Sequence, residues 1–151
     1  LAAADGRLRV VRLRRNFGQS AALQAGFDHA AGAVVVTLDG DLQNDPADIP
    51  ALLAELDAGY DVALGLRADR KDGFLLRKLP SRAANWLIRR VTGVPFRDFG
   101  CTLRAMRREV VDGMALYGEM HRFITAFAVY SGARVTQVPV RHHPRTAGRS
   151  K

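Results

Sequence analysis

Hydrophobic positions along this chain change their spacing in an ordered way. Leu8, Val10, Val11 and Leu13 form a short apolar run that reads as a strand over Leu8–Leu13. The stretch NFGQS at 16–20 reads as a loop, and residues 20–31 carry apolar side chains at helical spacing up to Gly32. Ala33–Leu38 is an unbroken apolar run, the pattern of a strand buried on both faces of a parallel sheet. A second helix follows: Asp45 is placed to cap it, Pro46 suits its first turn, Asp48 favours its positive end and Gly59 stops it. Val62–Leu66 is the next strand. The order strand, helix, strand, helix, strand predicts an α/β domain with right-handed crossovers.

After Leu66 the pattern becomes polar and basic. RADRKDG is a loop, and Phe74–Thr92 is a basic amphipathic helical stretch interrupted at Pro80. VPFRDFGCTLRAM is a loop running into a strand. Residues 108–116 and 119–131 read as helices, Gly132 as a C-cap, Val135–Val140 as a closing strand and HHPRTAGRSK as a basic loop. There is no internal repeat and no linker composition, so residues 1–151 are expected to form a single domain.

Composition narrows the class of protein. With 151 residues, 48% of them hydrophobic, the chain is long enough for a real core. No run approaches the about 18 apolar residues of a membrane span, since Gly32 and Thr37 interrupt the best one, so the segment reads as soluble. It starts at Leu1 without a signal-peptide pattern, as an excised piece would. Cys101 is the single cysteine, which excludes an internal disulfide and argues against thiolate-bound zinc; a reducing compartment fits. The net charge of +8 asks for an anionic partner: nucleic acid, a phosphorylated ligand or an acidic membrane face. The nucleic-acid alternative ranks low, because basic residues without interleaved aromatics leave the acidic cluster described next unexplained.

That cluster is VVVTLDGDLQNDP, 34–46, where a buried-strand pattern runs straight into Asp39, Asp41, Gln43 and Asp45. Ligands gather at the carboxyl ends of strands in such sheets, and Asp39 falls there. If the chain stays extended past Leu38, Asp39, Asp41 and Gln43 alternate onto one side. Two carboxylates ~4 Å apart repel by ~4 kcal/mol at an effective dielectric of 20, a cost that a divalent cation turns into attraction. Oxygen ligands favour Mg²⁺ or Mn²⁺, with the remaining positions taken by water and substrate phosphates. A plain turn is the competing reading for Asp39-Gly40-Asp41, and the cap role suffices for Asp45.

RNFGQSAALQAGFDHAAG followed by VVVTLDGDLQNDPADIP resembles the nucleotide-sugar-binding half of the family-2 inverting glycosyltransferases, in particular the polyprenyl-phosphate glycosyltransferases of the dolichol-phosphate mannose synthase type. The resemblance continues through GLRADR, RKLPSRAAN, RDFGCTLRAM, GEMHRFI and VPVRHHPRTAGRSK. It implies a GT-A fold, a Rossmann-like, mostly parallel sheet flanked by helices. It also implies that Asp39, Asp41 and Gln43 hold Mg²⁺ or Mn²⁺ on the diphosphate of a UDP- or GDP-sugar, and that the acceptor is a polyprenyl phosphate at the cytoplasmic face of a membrane. The family's opening strands would precede Leu1 and its membrane helices would follow Lys151. A homo-oligomer stays open, as does a glycan or protein acceptor on the same fold.

Such a transfer brings one anion to another, so cations are needed beside the acceptor. Arg67 at a strand end, with Arg77 and Ser81 four residues apart on one helix face, would cradle the acceptor phosphate, and the resemblance supports these three. Lys78, Arg82, Arg89 and Arg90 read as solvated surface. Trp86, among Leu75, Leu76, Leu79, Leu87 and Val91, is the candidate interfacial anchor at a membrane surface, with core packing an equal reading for the leucines. Asp98 and Asp41 are the candidate catalytic residues. A phosphate with a second pKa near ~6 is largely ionised already, so Asp98 serves as a base or orients the acceptor or an arginine. Asn16 and Gly18 shape the donor pocket or an ordinary strand-to-helix loop. Arg145, Arg149, Ser150 and Lys151 form a loop able to close on the diphosphate, with disorder the competing expectation; His121 and Arg122 open a helix that the resemblance puts near the active site, although a lone His at a helix start is more often a structural hydrogen-bonder.

Overall fold

The computed structural model describes residues 5–67, 90, 96, 98 and 100–144. Its elements, in order, are α1 (Gln19–His29), β1 (Val34–Thr37), a 3₁₀ turn (Pro46–Asp48), α2 (Ile49–Asp57), β2 (Val62–Arg67), β3 (Arg104–Arg107), α3 (Arg108–Asp112), a second 3₁₀ turn (Met120–Phe123), α4 (Ile124–Tyr130) and β4 (Val135–Val140). The four strands make one sheet in the order β1-β3-β2-β4. β3 runs antiparallel to both β1 and β2, while β2 and β4 pair in parallel with Val62 opposite Val135 and Arg67 opposite Val140. β1, β2 and β4 therefore point the same way, and β3 is the reversed strand that makes the sheet mixed.

The period of two along each strand divides the core into two layers. On one face Val35, Val62, Leu64 and Met106 pack with Phe27 of α1, Val111 of α3 and Ile124 and Ala128 of α4. On the other face Ala63, Leu103, Ala105, Val138 and Val140 pack with Leu52 and Leu56, a four-residue repeat on α2. Burying each such aliphatic side chain contributes about 1.5–3 kcal/mol, so both layers are needed to hold the sheet. Gly65 is where the second layer is tightest: a Cβ there would stand 2.8 Å from Cys101 Sγ and 3.0 Å from Leu103 O.

β3 carries Arg107 and Arg108 to the end of the sheet where α1 and α2 finish. Arg107 Nη2–H donates to Leu56 O at 2.6 Å. Arg108 donates from Nε and Nη2 to Gly32 O at 3.1 and 3.0 Å, and from Nη1 to Phe27 O at 3.5 Å. Cations at helix C-termini satisfy carbonyls that lack an intrahelical partner and complement the helix dipole. Gly59, at φ 101, ends α2 in the left-handed conformation expected of a glycine stop.

Three expectations are corrected. Leu8–Leu13 forms no strand: the segment pairs with no strand among the described residues, and Leu8 and Val10 are exposed. Local propensity does not make a strand without a neighbour to complete the ladder. Ala33–Leu38 is not buried on both faces; the observed strand, Val34–Thr37, buries only Val35 fully and pairs only with β3 among the described residues, as an edge strand. The strand with a continuous buried run is β2. Finally, the chain does not stay extended after Leu38 but turns at Gly40–Asp41. Among the described residues no helix is long and apolar enough to cross a membrane.

Candidate active site

β1 and β2 both end at the same edge of the sheet, delivering Asp39 just past one strand and Arg67 at the tip of the other. Asp39, Asp41, Gln43 and Arg67 line a single cleft, closed by Asn44, Thr102 and His142. Convergence of the acidic residues comes from a turn rather than from extended alternation. Leu42 sits at φ 62, a left-handed conformation that costs a non-glycine residue roughly 1–2 kcal/mol. Asp41 Oδ1 accepts the Gln43 backbone N–H at 3.2 Å, which closes the turn locally.

The floor of the cleft is fixed by hydrogen bonds between strands and loops. Thr37 Oγ1 donates to Thr102 O at 2.6 Å, and buried Asn44 donates from Nδ2 to Thr102 Oγ1 at 3.0 Å. Across the cleft the segment after β4 clamps the acidic loop. His143 N–H donates to Gln43 O at 2.8 Å, while Arg141 donates from its backbone N–H to Asp48 Oδ2 at 2.7 Å and from Nε and Nη2 to Oδ1. Asp45 caps the 3₁₀ turn by accepting Ala47 N–H at 2.9 Å and meets His143 Nε2 at 3.3 Å. These contacts, the Ala47 N–H first, hold its carboxyl below the usual range. Asp48 thus binds Arg141 and makes no side-chain cap bond to α2.

Arg67 and Asp98 form a two-bond pair: Nε to Oδ2 at 2.7 Å and Nη2 to Oδ1 at 2.8 Å. Their side chains are only 13% and 9% exposed, and Gly100 N–H adds a third bond to Oδ1 at 3.1 Å. Parallel N–H···O bonds of this kind fix orientation as well as charge. Beside the pair, Cys101 is buried, and desolvation pushes its thiol pKa up, which favours the protonated form.

His121 belongs to a different contact set. Its backbone N–H donates to Ser20 Oγ at 3.1 Å, and the same oxygen lies 3.0 Å from His121 Nδ1. Burial lowers the imidazole pKa, against a smaller opposing pull from Glu119. The ring is therefore neutral near pH 7, and the tautomer assigned from these bonds has Ser20 O–H donating to Nδ1 and Nε2–H turned toward Glu119 Oε2, 4.0 Å away. Arg122 points outward, 65% exposed, and pairs with Glu119 at 3.1 Å. Asn16 Oδ1 accepts Gly18 N–H at 2.9 Å and so shapes the entry to α1, outside the cleft lining. Arg77, Ser81, Trp86, Arg145 and Lys151 lie outside the described residues, as does the rest of the basic helical stretch except exposed Arg90.

Sequence reasoning missed Arg104, which is buried at the start of β3 and donates from Nε to Cys101 O at 3.0 Å. The available signal was a lone charge inside the apolar run CTLRAM. It also missed the Asn44–Thr102 bond and the Arg141–Asp48 clamp, because no spacing rule links residues 58 or 93 positions apart.

The donor set at the cleft, two carboxylates and an amide, consists of hard oxygen ligands. Such a set would suit Mg²⁺ or Mn²⁺, which take one or two carboxylates and complete the shell with water and phosphate oxygens; among the described residues no group of three or more His, Cys, Asp or Glu side chains converges. The cleft measures about 40 Å³, enough for an ion with its water and far below the ~300 Å³ of a pocket enclosing a whole ligand.

The family model described as glycosyl transferase family 2 matches residues 1–114. Dodecaprenyl-phosphate galacturonate synthase of Rhizobium johnstonii is 50% identical over 147 residues, 95% of this chain and 44% of that protein. Undecaprenyl-phosphate 4-deoxy-4-formamido-L-arabinose transferase of Salmonella paratyphi B is 45% identical over 148 residues, 98% of this chain and 45% of the relative. The chain thus spans less than half the length of these curated relatives. Among solved structures, glucosyl-3-phosphoglycerate synthase from Mycobacterium tuberculosis in complex with phosphoglyceric acid superimposes with a TM-score of 0.64 at 18% identity, covering 95% of this chain and 52% of that one. A complex of the same enzyme with Mn²⁺, UDP-glucose and glycerol 3-phosphate gives a TM-score of 0.62 at 18% identity, with the same coverage. At that identity the likeness establishes the fold, an α/β arrangement of GT-A type. With the family model covering most of its length, and with its acidic turn at the end of β1, the chain belongs to glycosyl transferase family 2.

Proposed function

We propose that this chain is catalytic core of an enzyme that transfers a sugar, with inversion, from a UDP- or GDP-sugar to a polyprenyl phosphate at the cytoplasmic face of a membrane. The observation that carries the reading is the shared cleft, where Asp39, Asp41 and Gln43 face Arg67 held by Asp98. Both relatives described above are named for sugar transfer to, or synthesis on, a polyprenyl phosphate, and the solved neighbour is described in complex with Mn²⁺ and UDP-glucose.

Asp39, Asp41 and Gln43 would hold Mg²⁺ or Mn²⁺, which when bound supplies charge neutralisation for a departing nucleotide diphosphate. Arg67 provides the fixed positive charge for the acceptor phosphate. Asp98, with both oxygens engaged, orients Arg67 rather than taking a proton, in keeping with an acceptor that is ionised at neutral pH. The bonds from Thr37 and Asn44 to Thr102 keep the two sides of the cleft in register, so little reorganisation is needed when charge moves. Arg77, Ser81, Arg145, Lys151, Asn16, Gly18, His121 and Arg122 complete the proposed acceptor, donor and neighbouring positions.

The test uses a longer protein that contains this chain, supplied with UDP- and GDP-sugars, Mn²⁺ and either a short polyprenyl phosphate or a soluble glycan. Transfer to the lipid phosphate, abolished by Asp41→Asn, is the expected result. Transfer to the glycan alone, or unchanged turnover in Asp41→Asn, would refute the reading.

A further inference from the structure

Arg104 is a charged side chain set into an apolar row of the sheet. Its partners directly across the strands are Thr37 of β1 and Leu64 of β2, and it is 5% exposed. A buried cation is unfavourable unless its surroundings compensate it, and an apolar residue of similar length would pack there without that penalty. The compensation comes from two separate loops. Nε–H donates to Cys101 O at 3.0 Å, in the loop that carries Asp98, and Nη1–H donates to His121 O at 3.4 Å, in the second 3₁₀ turn. Desolvation is the larger influence and lowers its pKa, while Cys101, Asp98 and Asp39 oppose it. The guanidinium thus ties the Asp98 loop to the His121 turn, and its backbone stands across from Thr37, two residues before Asp39 on the strand that leads into the acidic turn.

We propose that Arg104 is a positioning residue: a fixed buried cation that ties the Asp98 loop to the His121 turn and makes the cleft bind a divalent ion well only together with an anionic nucleotide diphosphate. A lone cation approaching Asp39 and Asp41 meets partial neutralisation of the cleft by Arg104. A cation carrying a diphosphate brings net negative charge, which the same guanidinium attracts. Arg104 thereby couples the two binding events, and the coupling is reciprocal. The proposal rests on the reading of Asp39 and Asp41 as cation ligands.

The experiment measures Mn²⁺ affinity by electron paramagnetic resonance, without nucleotide and with UDP or GDP, in the longer protein and in its Arg104→Met and Arg104→Lys variants. In Arg104→Met, Mn²⁺ alone is expected to bind roughly three- to tenfold tighter, and the gain in affinity on adding nucleotide to shrink by a similar factor. Arg104→Lys keeps the charge and is expected to stay within about twofold of the parent in both. A merely structural role would weaken Mn²⁺ binding in both states, the opposite sign, and would overturn the proposal; so would parental values in Arg104→Met. Should Arg104→Met not fold, Arg104→Gln, which retains donors for the two carbonyls, serves in its place. Asp41→Asn separates the two ideas. If the parent binds no Mn²⁺, or Asp41→Asn still binds it, the cation reading fails and the role of Arg104 falls with it; if Asp41→Asn loses Mn²⁺ and the Arg104 variants behave as parent, only the Arg104 proposal fails.

Discussion

At one end of the sheet Arg67 and Arg104 lie buried against a carboxylate and loop carbonyls; at the other, Arg107 and Arg108 close the ends of two helices. Three of these four belong to β3 or the residue after it. Because β3 is antiparallel to its neighbours, its first residue falls at the cleft and its last at the far edge. The same residue type therefore does two jobs four positions apart. The far-end arginines add donors to carbonyls at or just past two helix ends, a matter of stability. The cleft-end arginines hold loops and an acid in fixed relation, a matter of chemistry. A formal charge of +8 is thus a poor guide to partners until the cations occupied in structure are set aside.

Variants that separate stability from activity break or sharpen this contrast. The largest effect is expected from Arg67→Ala, which leaves Asp98 buried without its charged partner. Loss of one member of a buried pair costs about 3–5 kcal/mol, and denaturant unfolding should show it together with lost sugar transfer. If Arg67→Ala unfolds like the parent, the pair is not the buried element described above. Next comes Arg108→Ala, which removes bonds to Gly32 O and Phe27 O. A loss of roughly 1–2 kcal/mol is expected, with turnover per folded molecule unchanged; a fall in turnover would erase the distinction between the two ends.

The smallest effect is a pH dependence from His121. Its pKa in the folded protein is below the ordinary 6.5, so the unfolded chain binds the proton more readily. Its contribution to stability is then fully present above about pH 6.5 and declines as the pH falls toward the lowered folded value, below which it is lost. Chemical denaturation from pH 7.5 down to 5 should show this decline in the parent and a flatter profile in His121→Gln. A parent stability that rises on acidification through this window would contradict the burial of the ring.

How much of this was legible beforehand follows from what spacing can encode. β4 is recovered residue for residue, and β2 within one residue: β2 opens on the apolar run Val62-Ala63-Leu64, and β4 is rich in β-branched residues shortly after the Gly132 stop. The acidic cluster stands out in the sequence, but its shape does not: the extended alternation expected after Leu38 gives way to a turn at Gly40–Asp41. The direction of β3 is not legible either, because a strand's own sequence carries no mark of its polarity relative to its neighbours. Leu8–Leu13 shows the reverse error, propensity without a partner. The Ser20–His121 bond and the Arg141–Asp48 clamp join residues 101 and 93 positions apart, where only the folded chain sets the distance.

Binding of Mn²⁺ in the presence of UDP or GDP, compared between the longer protein, Asp41→Asn and Asp45→Asn, tests the central claim most directly. Asp41 lines the cleft, whereas Asp45 caps a turn beside it. Loss of at least tenfold in nucleotide-dependent Mn²⁺ affinity in Asp41→Asn, with Asp45→Asn near the parent, is the predicted result. Equal affinity in all three proteins would contradict it.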